Sequence, residues 1–290
     1  MNKNFDLLAD SCCDLPVSLL EEQDVQFVSM TVQMGGKEYR DDLGKTFDYQ
    51  EFVKRLKSGE MATTSQINIG TYLEAFKPYV DQEQPLLYLS FSSGLSGSYQ
   101  NAVSAVNLLK EDYQNVPIIV VDTKAASLGL GLIVKCVSEL RLAGGSLEET
   151  LEWLDNHLDN VQSWVTVDNL EHLERGGRIS KTSAAISGLM KINPIIHVND
   201  EGKLINVGKA RGRHRAISKI ISEMQKHAMT GDHSLIYVVH ADDLESALKT
   251  KELLEQEYPT SDIQIYPMGP TIMSHTGTGT LAIFTFGDKR

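Results

Sequence analysis

Cysteine is scarce in this 290-residue chain: Cys12, Cys13 and Cys136 are the whole set. Neighbours in sequence are poor disulfide partners, and no C-x-x-C or Cys/His cluster with zinc spacing occurs, so neither a disulfide framework nor a structural zinc site is expected. So few cysteines fit a reducing compartment. Long apolar runs are missing too. No stretch reaches the ~18 residues read as a membrane helix, and Asp6 and Asp10 interrupt the opening MNKNFDLLAD where a leader would be apolar. The expectation is a soluble, cytoplasmic protein. Positive charge is also short, with 27 Lys plus Arg against 39 acids and a net charge of −12. That balance argues against a nucleic-acid partner and reads as a solvated acidic surface. No G-x-x-x-x-G-K-[ST] loop and no H-E-x-x-H occurs, so neither a bound cofactor nor a metal is expected.

What is present is a globular balance of 41% hydrophobic and 23% charged residues. In the first half, short apolar runs at 5–9, 25–32, 85–91 and 116–121 alternate with helical patterns. The segment 128–140 is apolar nearly all round and predicts a buried helix. Ser146 and Glu149 form a capping box that opens a helix over 147–158, and a strand follows at 164–167. Continuous apolar strands separated by helices predict a mainly parallel sheet covered on both faces. In the second half, 193–198 and 204–207 flank Asp200-Glu201-Gly202-Lys203, a hairpin signal. Helices carrying Ile217 to Met224 and Leu244 to Leu254 follow, among strands at 235–239, 263–266 and 281–286. The fold class expected is therefore α/β with two domains. Residues 1–160 form an N-terminal domain with a mainly parallel sheet flanked by helices, and residues 161–290 a C-terminal mixed-sheet domain.

The stretch Ser92-Ser93-Gly94-Leu95-Ser96-Gly97-Ser98 follows a buried strand and opens a helix. Ligands of parallel sheets bind beyond the carboxyl ends of the strands, and N–H groups at a helix start suit a carboxylate or phosphate oxygen. The bland alternative makes Ser96 only an N-cap. The same stretch misses the nucleophile elbow G-x-S-x-G by one residue, Ser98 standing where glycine is required. A serine hydrolase using Ser96 and His275, with Asp242 or Asp243 as third member, is the rival. Thr63-Thr64-Ser65-Gln66 by itself is a helix-start signal before a helix at about residue 69. Asp14 before Leu15-Pro16 reads as an N-cap, against a metal role for Asp10 and Asp14. Two basic runs, Arg175-Gly176-Gly177-Arg178-Ile179-Ser180-Lys181 and Lys209-Ala210-Arg211-Gly212-Arg213-His214-Arg215, suggest an anionic ligand or an acidic partner, or else solvated loops. Arg213 and its neighbours would oppose the dipole of the helix they open. Gly277 to Ala282 matches G-x-G-x-x-A but leads into a strand, which excludes a dinucleotide fingerprint. His275 is placed in a glycine-flanked loop.

Taken in order, Asp10-Ser11 with Asp14-Leu15, Thr64-Ser65-Gln66, 92–99, Val121-Asp122-Thr123, 173–181, Asn193-Pro194-Ile195, 209–211 and 269–279 resemble the DegV family. The resemblance covers nearly the whole chain. It implies two α/β domains with a long-chain fatty acid in a tunnel between them. The head group would meet Thr64, Ser65, Ser96, Gly97, His275 and Thr276. Arg175, Arg178, Arg211 and Arg213 would contact a partner or a phosphate. It further implies a lipid-binding subunit without chemistry of its own. Such a subunit presents the carboxylate to a dihydroxyacetone-kinase-like fatty acid kinase subunit for acyl-phosphate formation in phospholipid synthesis, with at most transient membrane contact. A lipid-sensing regulatory role is the third reading. Two departures from the family pattern stand at the site: Thr276 follows the histidine, and Ile67 replaces the proline common after Thr-Ser-Gln.

Overall fold

In the computed structural model, residues 4–168, 170–180, 192–227 and 235–290 are described. Lys181, at the end of the first basic run, lies outside them.

Strands β1 (Asp6–Asp10), β2 (Val25–Val28), β6 (Leu86–Ser90) and β7 (Ile118–Asp122) form a parallel sheet in the order β2-β1-β6-β7. Every residue of β6 is buried, as a sheet covered on both faces requires. Helices α3 (Ile69–Asp81) and α4 (Ser98–Asp112) pack together and against β7. Helix α5 (Leu128–Leu142) touches both β6 and the strands of the second large sheet, so its all-round apolar surface is wedged between the two sheets.

That second sheet has six strands in the order β10-β9-β8-β13-β11-β12. They are β8 (Val161–Thr166), β9 (Ile192–Val198), β10 (Leu204–Arg211), β11 (Leu235–His240), β12 (Asp262–Pro267) and β13 (Leu281–Phe286). β9 and β10 form the expected antiparallel hairpin. Only β11 with β12 is parallel, so the sheet is mixed. Helices α8 (Arg213–Lys226) and α9 (Leu244–Glu257) bury Ile217, Ile220 and Leu254 on its outer face with Ile236 and Ile263. The inner face carries Val165, Ile196, Tyr237 and Phe284 into one apolar core with Leu128 and Ile133.

The apolar run 25–32 is not one strand. It divides at Ser29 and Met30, and β3 (Thr31–Met34) leaves for a small antiparallel sheet with β4 (Lys37–Arg40) and β5 (Ala62–Ser65). Ser11 Oγ accepts the Met30 N–H at 3.0 Å where the chain turns away. Gly35 and Gly36, with φ of +59° and +72°, form the two-residue connection between β3 and β4. Such a Gly-Gly pair between alternating residues is a hairpin signal. Thr64 and Ser65 therefore belong to a strand, and the helix after them is capped by Asn68, whose side chain accepts from Thr71 N.

Asp14 is not an N-cap: it closes the short 3-10 turn Ser11–Cys13, its N–H donating to Ser11 O. Its backbone is left-handed (φ +53°), helix α1 (Val17–Glu22) has Pro16 at its cap position, and the Asp14 carboxylate is buried. The second basic run is split. Its residues through Arg211 extend β10, Gly212 is the cap, and Arg213 opens α8. His275 sits in a short helix, α10 (Pro270–Thr276), where Pro270 at the first helical position starts a turn that a loop reading overlooks.

Candidate functional site

Between the parallel sheet and the six-stranded sheet lies a cavity of about 800 Å³, its mouth included. Its long wall is apolar, with Phe91, Leu95, Val165, Val198, Ile272 and Phe284 among its residues. One end is polar and draws on four separate pieces of chain. β5 brings Thr64 and Ser65, the turn before α4 brings Ser96, α10 brings His275 and Thr276, and the turn after α7 (Glu171–Arg175) brings Arg178.

These groups are tied to one another. Thr64 Oγ1 lies 2.7 Å from His275 Nε2. Ser96 Oγ is 2.9 Å from Ser98 Oγ and accepts the Ser98 N–H at 3.2 Å, while Ser98 Oγ accepts the Ile67 N–H at 3.1 Å. The Arg178 Nε donates to Leu95 O at 3.2 Å and its Nη1 to Gly176 O at 2.6 Å. Among the described residues no carboxylate pairs with Arg178, so a half-buried guanidinium stands at the polar end with only carbonyl partners. Burial, with Arg178 and Arg175 nearby, pushes the His275 imidazole down to about 4. The ring is therefore neutral at pH 7 and acts as a hydrogen-bonding group, leaving Arg178 as the charge of the site.

Two glycines set the shape. A Cβ on Gly94 would stand 2.6 Å from the Glu201 carbonyl, so the turn before α4 can lie against the β9–β10 hairpin only without a side chain. Ser92 Oγ donates to Gly202 O at 2.8 Å across the same contact. Gly97, expected to meet the head group directly, is the cap residue of α4 and does not line the cavity. It lets the Gln66 side chain come close, and Gln66 is the lining residue.

Among the described residues of the two basic runs, only Arg178 lines the cavity. Arg175 Nη2 lies 2.8 Å from His172 Nδ1 at the surface, and Arg211 is exposed on β10. Arg213 bonds Asp168 at 2.8 Å and also the Gly279 carbonyl, which ties the start of α8 to the approach to β13. The relay a serine hydrolase needs is not assembled. Ser96 bonds Ser98, His275 bonds Thr64, Asp242 pairs with Lys57, and Asp243 caps α9 by accepting from Ser246 N at 3.2 Å. Ser127 and Thr271 also line the cavity; Ser127 sits in no recognisable motif, and Thr271 lies in the 269–279 stretch, from which sequence reasoning takes only His275 and Thr276. Thr271 Oγ1 donates to the buried Asp41 at 2.5 Å, and Ser127 Oγ to the buried Asp14 at 2.5 Å. Burial raises the carboxyls of Asp10 and Asp41 to about 6 and also lifts that of Asp14 well above the usual carboxylate range. Among the described residues no group of three or more His, Cys, Asp or Glu side chains could hold a metal ion, and no helix is long and apolar enough to cross a membrane.

The α/β fold encloses an apolar cavity with hydroxyls, a neutral imidazole and one guanidinium among its lining, a chemistry that suits an apolar molecule with an anionic head. The chain belongs to the DegV family, described as uncharacterised proteins, whose model matches residues 4–288. A DegV domain-containing protein of Clostridium perfringens is 38% identical over 288 residues, covering 99% of each chain. A Thermus thermophilus DegV family protein, described as binding fatty acid, is 28% identical with a TM-score of 0.86, covering 98% of this chain and 99% of its own. DegV of Bacillus subtilis, also described as a fatty acid binding protein, is 27% identical with a TM-score of 0.83, covering 98% of this chain and all of its own.

Proposed function

We propose that this protein binds one long-chain fatty acid in the cavity and presents its carboxylate to a separate kinase subunit. The observation that carries the reading is the pairing of a long apolar wall with a polar end whose guanidinium has no carboxylate partner among the described residues. Each methylene taken from water contributes about 0.8 kcal/mol, so the tail supplies most of the affinity. The carboxylate must keep hydrogen bonds when buried, and Thr64, Ser65, Ser96 and Thr276 offer hydroxyls for them. His275 fixes the Thr64 hydroxyl, and Arg178 supplies the opposite charge.

The division into residues 1–160 and 161–290, with the tunnel between the two domains, belongs to the same proposal. The parallel sheet ends at Asp122 and the six-stranded sheet begins at Val161. A carrier without chemistry of its own is favoured over a hydrolase because Ser96 has no base within its hydrogen-bond set. Incubating the loaded protein with ATP and a fatty acid kinase subunit tests the presenting role. A carrier gives acyl phosphate, whereas a protein that only senses lipid gives none.

A further inference from the structure

The antiparallel strands β8 and β13 give the cavity a floor. β13 begins shortly after Thr276, at the polar end, and β8 runs towards that end, where α7 and Arg178 follow it and α7 packs on α10. The rung Val165–Ala282 therefore lies nearer the head-group residues, and the rung Ser163–Phe284 lies about 7 Å deeper, two residues along the strands. Val165, Ala282 and Phe284 line the cavity. The next rung, Val161–Phe286, is buried outside it, with Phe286 covered edge to face by Trp153 at 6.0 Å between ring centroids. Phe284 is the deepest side chain of β13 that the cavity reaches.

Behind the Phe284 ring stands Gly129, in the first turn of α5. A Cβ at this position would lie 3.1 Å from Phe284 Cδ1, 3.4 Å from its Cε1 and 3.0 Å from Ser163 Oγ. Non-bonded carbon atoms rest at about 3.5–4.0 Å, so helix and ring are as close as glycine allows. The helix itself does not require glycine here. Gly129 has no positive φ, and alanine is the better helix former. The requirement comes from the facing rung. Ser163 and Tyr237, the partners of Phe284 on the two neighbouring strands, are both fully buried, and the ring's open side is the cavity.

We propose that Gly129 sets the depth of the cavity, and with it the length of acyl chain the protein accepts, by letting the Phe284 ring stand back from the tail. The cavity is that of the fatty acid reading, on which the depth assignment rests. A side chain at position 129 drives the ring into the space where the tail ends and leaves the head-group residues untouched. Chains that stop short of Phe284 are indifferent to the change. Chains that reach it lose about fourfold in affinity for each methylene excluded.

The test is calorimetric titration of delipidated parent, Gly129→Ala and Gly129→Ala/Phe284→Leu proteins with saturated acids from octanoic to stearic. Gly129→Ala should bind octanoic acid as the parent does, and palmitic and stearic acids about fourfold more weakly or worse. Phe284→Leu makes room for the added methyl and should restore long-chain affinity in the double variant, which separates an effect through the ring from a general loss of packing. A chain-length profile in Gly129→Ala parallel to the parent's overturns the proposal, as does a double variant that is not rescued. Should Gly129→Ala fail to fold, Phe284→Leu alone decides: it should raise affinity for stearic acid relative to octanoic acid, and an unchanged ratio overturns the assignment. Parent protein that takes up none of these acids refutes the fatty acid reading itself, and the depth assignment with it.

Discussion

Removing the Ser96 hydroxyl isolates the head-group contribution from that of the tail. Ser96 is half-buried at the polar end, and its Oγ already accepts the Ser98 N–H at 3.2 Å. The hydroxyl hydrogen is free to turn from Ser98 Oγ, 2.9 Å away, towards a bound carboxylate. A hydrogen bond to a charged group contributes about 1.5–3 kcal/mol, so Ser96→Ala should weaken fatty acid binding roughly 10- to 150-fold. The fold should lose the bonds to Ser98 N and Ser98 Oγ, about 0.5–1.5 kcal/mol each. Phe91, Val165 and Phe284 are untouched, so much of the tail affinity survives. The assay is titration of delipidated protein with a fluorescent long-chain fatty acid, with denaturant unfolding run in parallel. Ser96→Thr should keep part of the affinity. An alanine variant that folds normally and binds within twofold of the parent refutes the assignment. Covalent labelling of Ser96 by a fluorophosphonate, with ester hydrolysis lost in the alanine variant, would instead establish the hydrolase.

Three further outcomes follow from the same geometry. With the His275 pKa pushed down to about 4, binding should show no midpoint near 6.5; such a midpoint, absent in His275→Gln, would show that the imidazole is protonated at the site. Asp41, fully buried with a carboxyl raised to about 6, leaves the folded state binding more protons than the unfolded one between pH 4 and 6, so its contribution to stability falls as pH rises through that window. Asp41→Asn, which can still accept from Thr271, should gain roughly 2–3 kcal/mol on the parent between pH 4 and 7, and a pH-independent difference in unfolding free energy would contradict the assignment. Arg211→Ala should keep its lipid and its stability while lowering acyl-phosphate formation with the kinase; Arg213→Ala, which loses the bonds to Asp168 and Gly279, should lower the melting temperature, and equal behaviour of the two variants would speak against this division.

Much of the fold was legible because burial imposes a period on the sequence. The strands of the parallel sheet, the all-apolar α5 and the Ser146/Glu149 capping box each carry a local signal that the tertiary structure reinforces. The small three-stranded sheet was missed where the apolar run 25–32 continues unbroken across two sheets, although Gly35-Gly36 marked the hairpin. At the polar end, Thr64, Ser65, Ser96, His275 and Thr276 all line the cavity, with Thr64 and His275 in contact across 211 residues of chain. Arg178 reads in the sequence as a partner or phosphate contact, and its place in the cavity lining is not legible there because a basic run looks the same whether its side chains face solvent or a cavity. Gln66 and Gly97 exchanged places for a related reason: which of two close residues lines the space depends on the path of the backbone between β5 and α4. Asp14 differs from its N-cap reading because a short polar residue before Leu15-Pro16 looks like a helix start, and only its left-handed backbone and burial show that it closes the preceding turn instead.

The most direct test of the central claim is native mass spectrometry of the purified protein, followed by lipid extraction. The account predicts a mass excess equal to one long-chain fatty acid per chain, released by extraction and restored on adding the free acid. Protein that is recovered without lipid and takes up no fatty acid would contradict it.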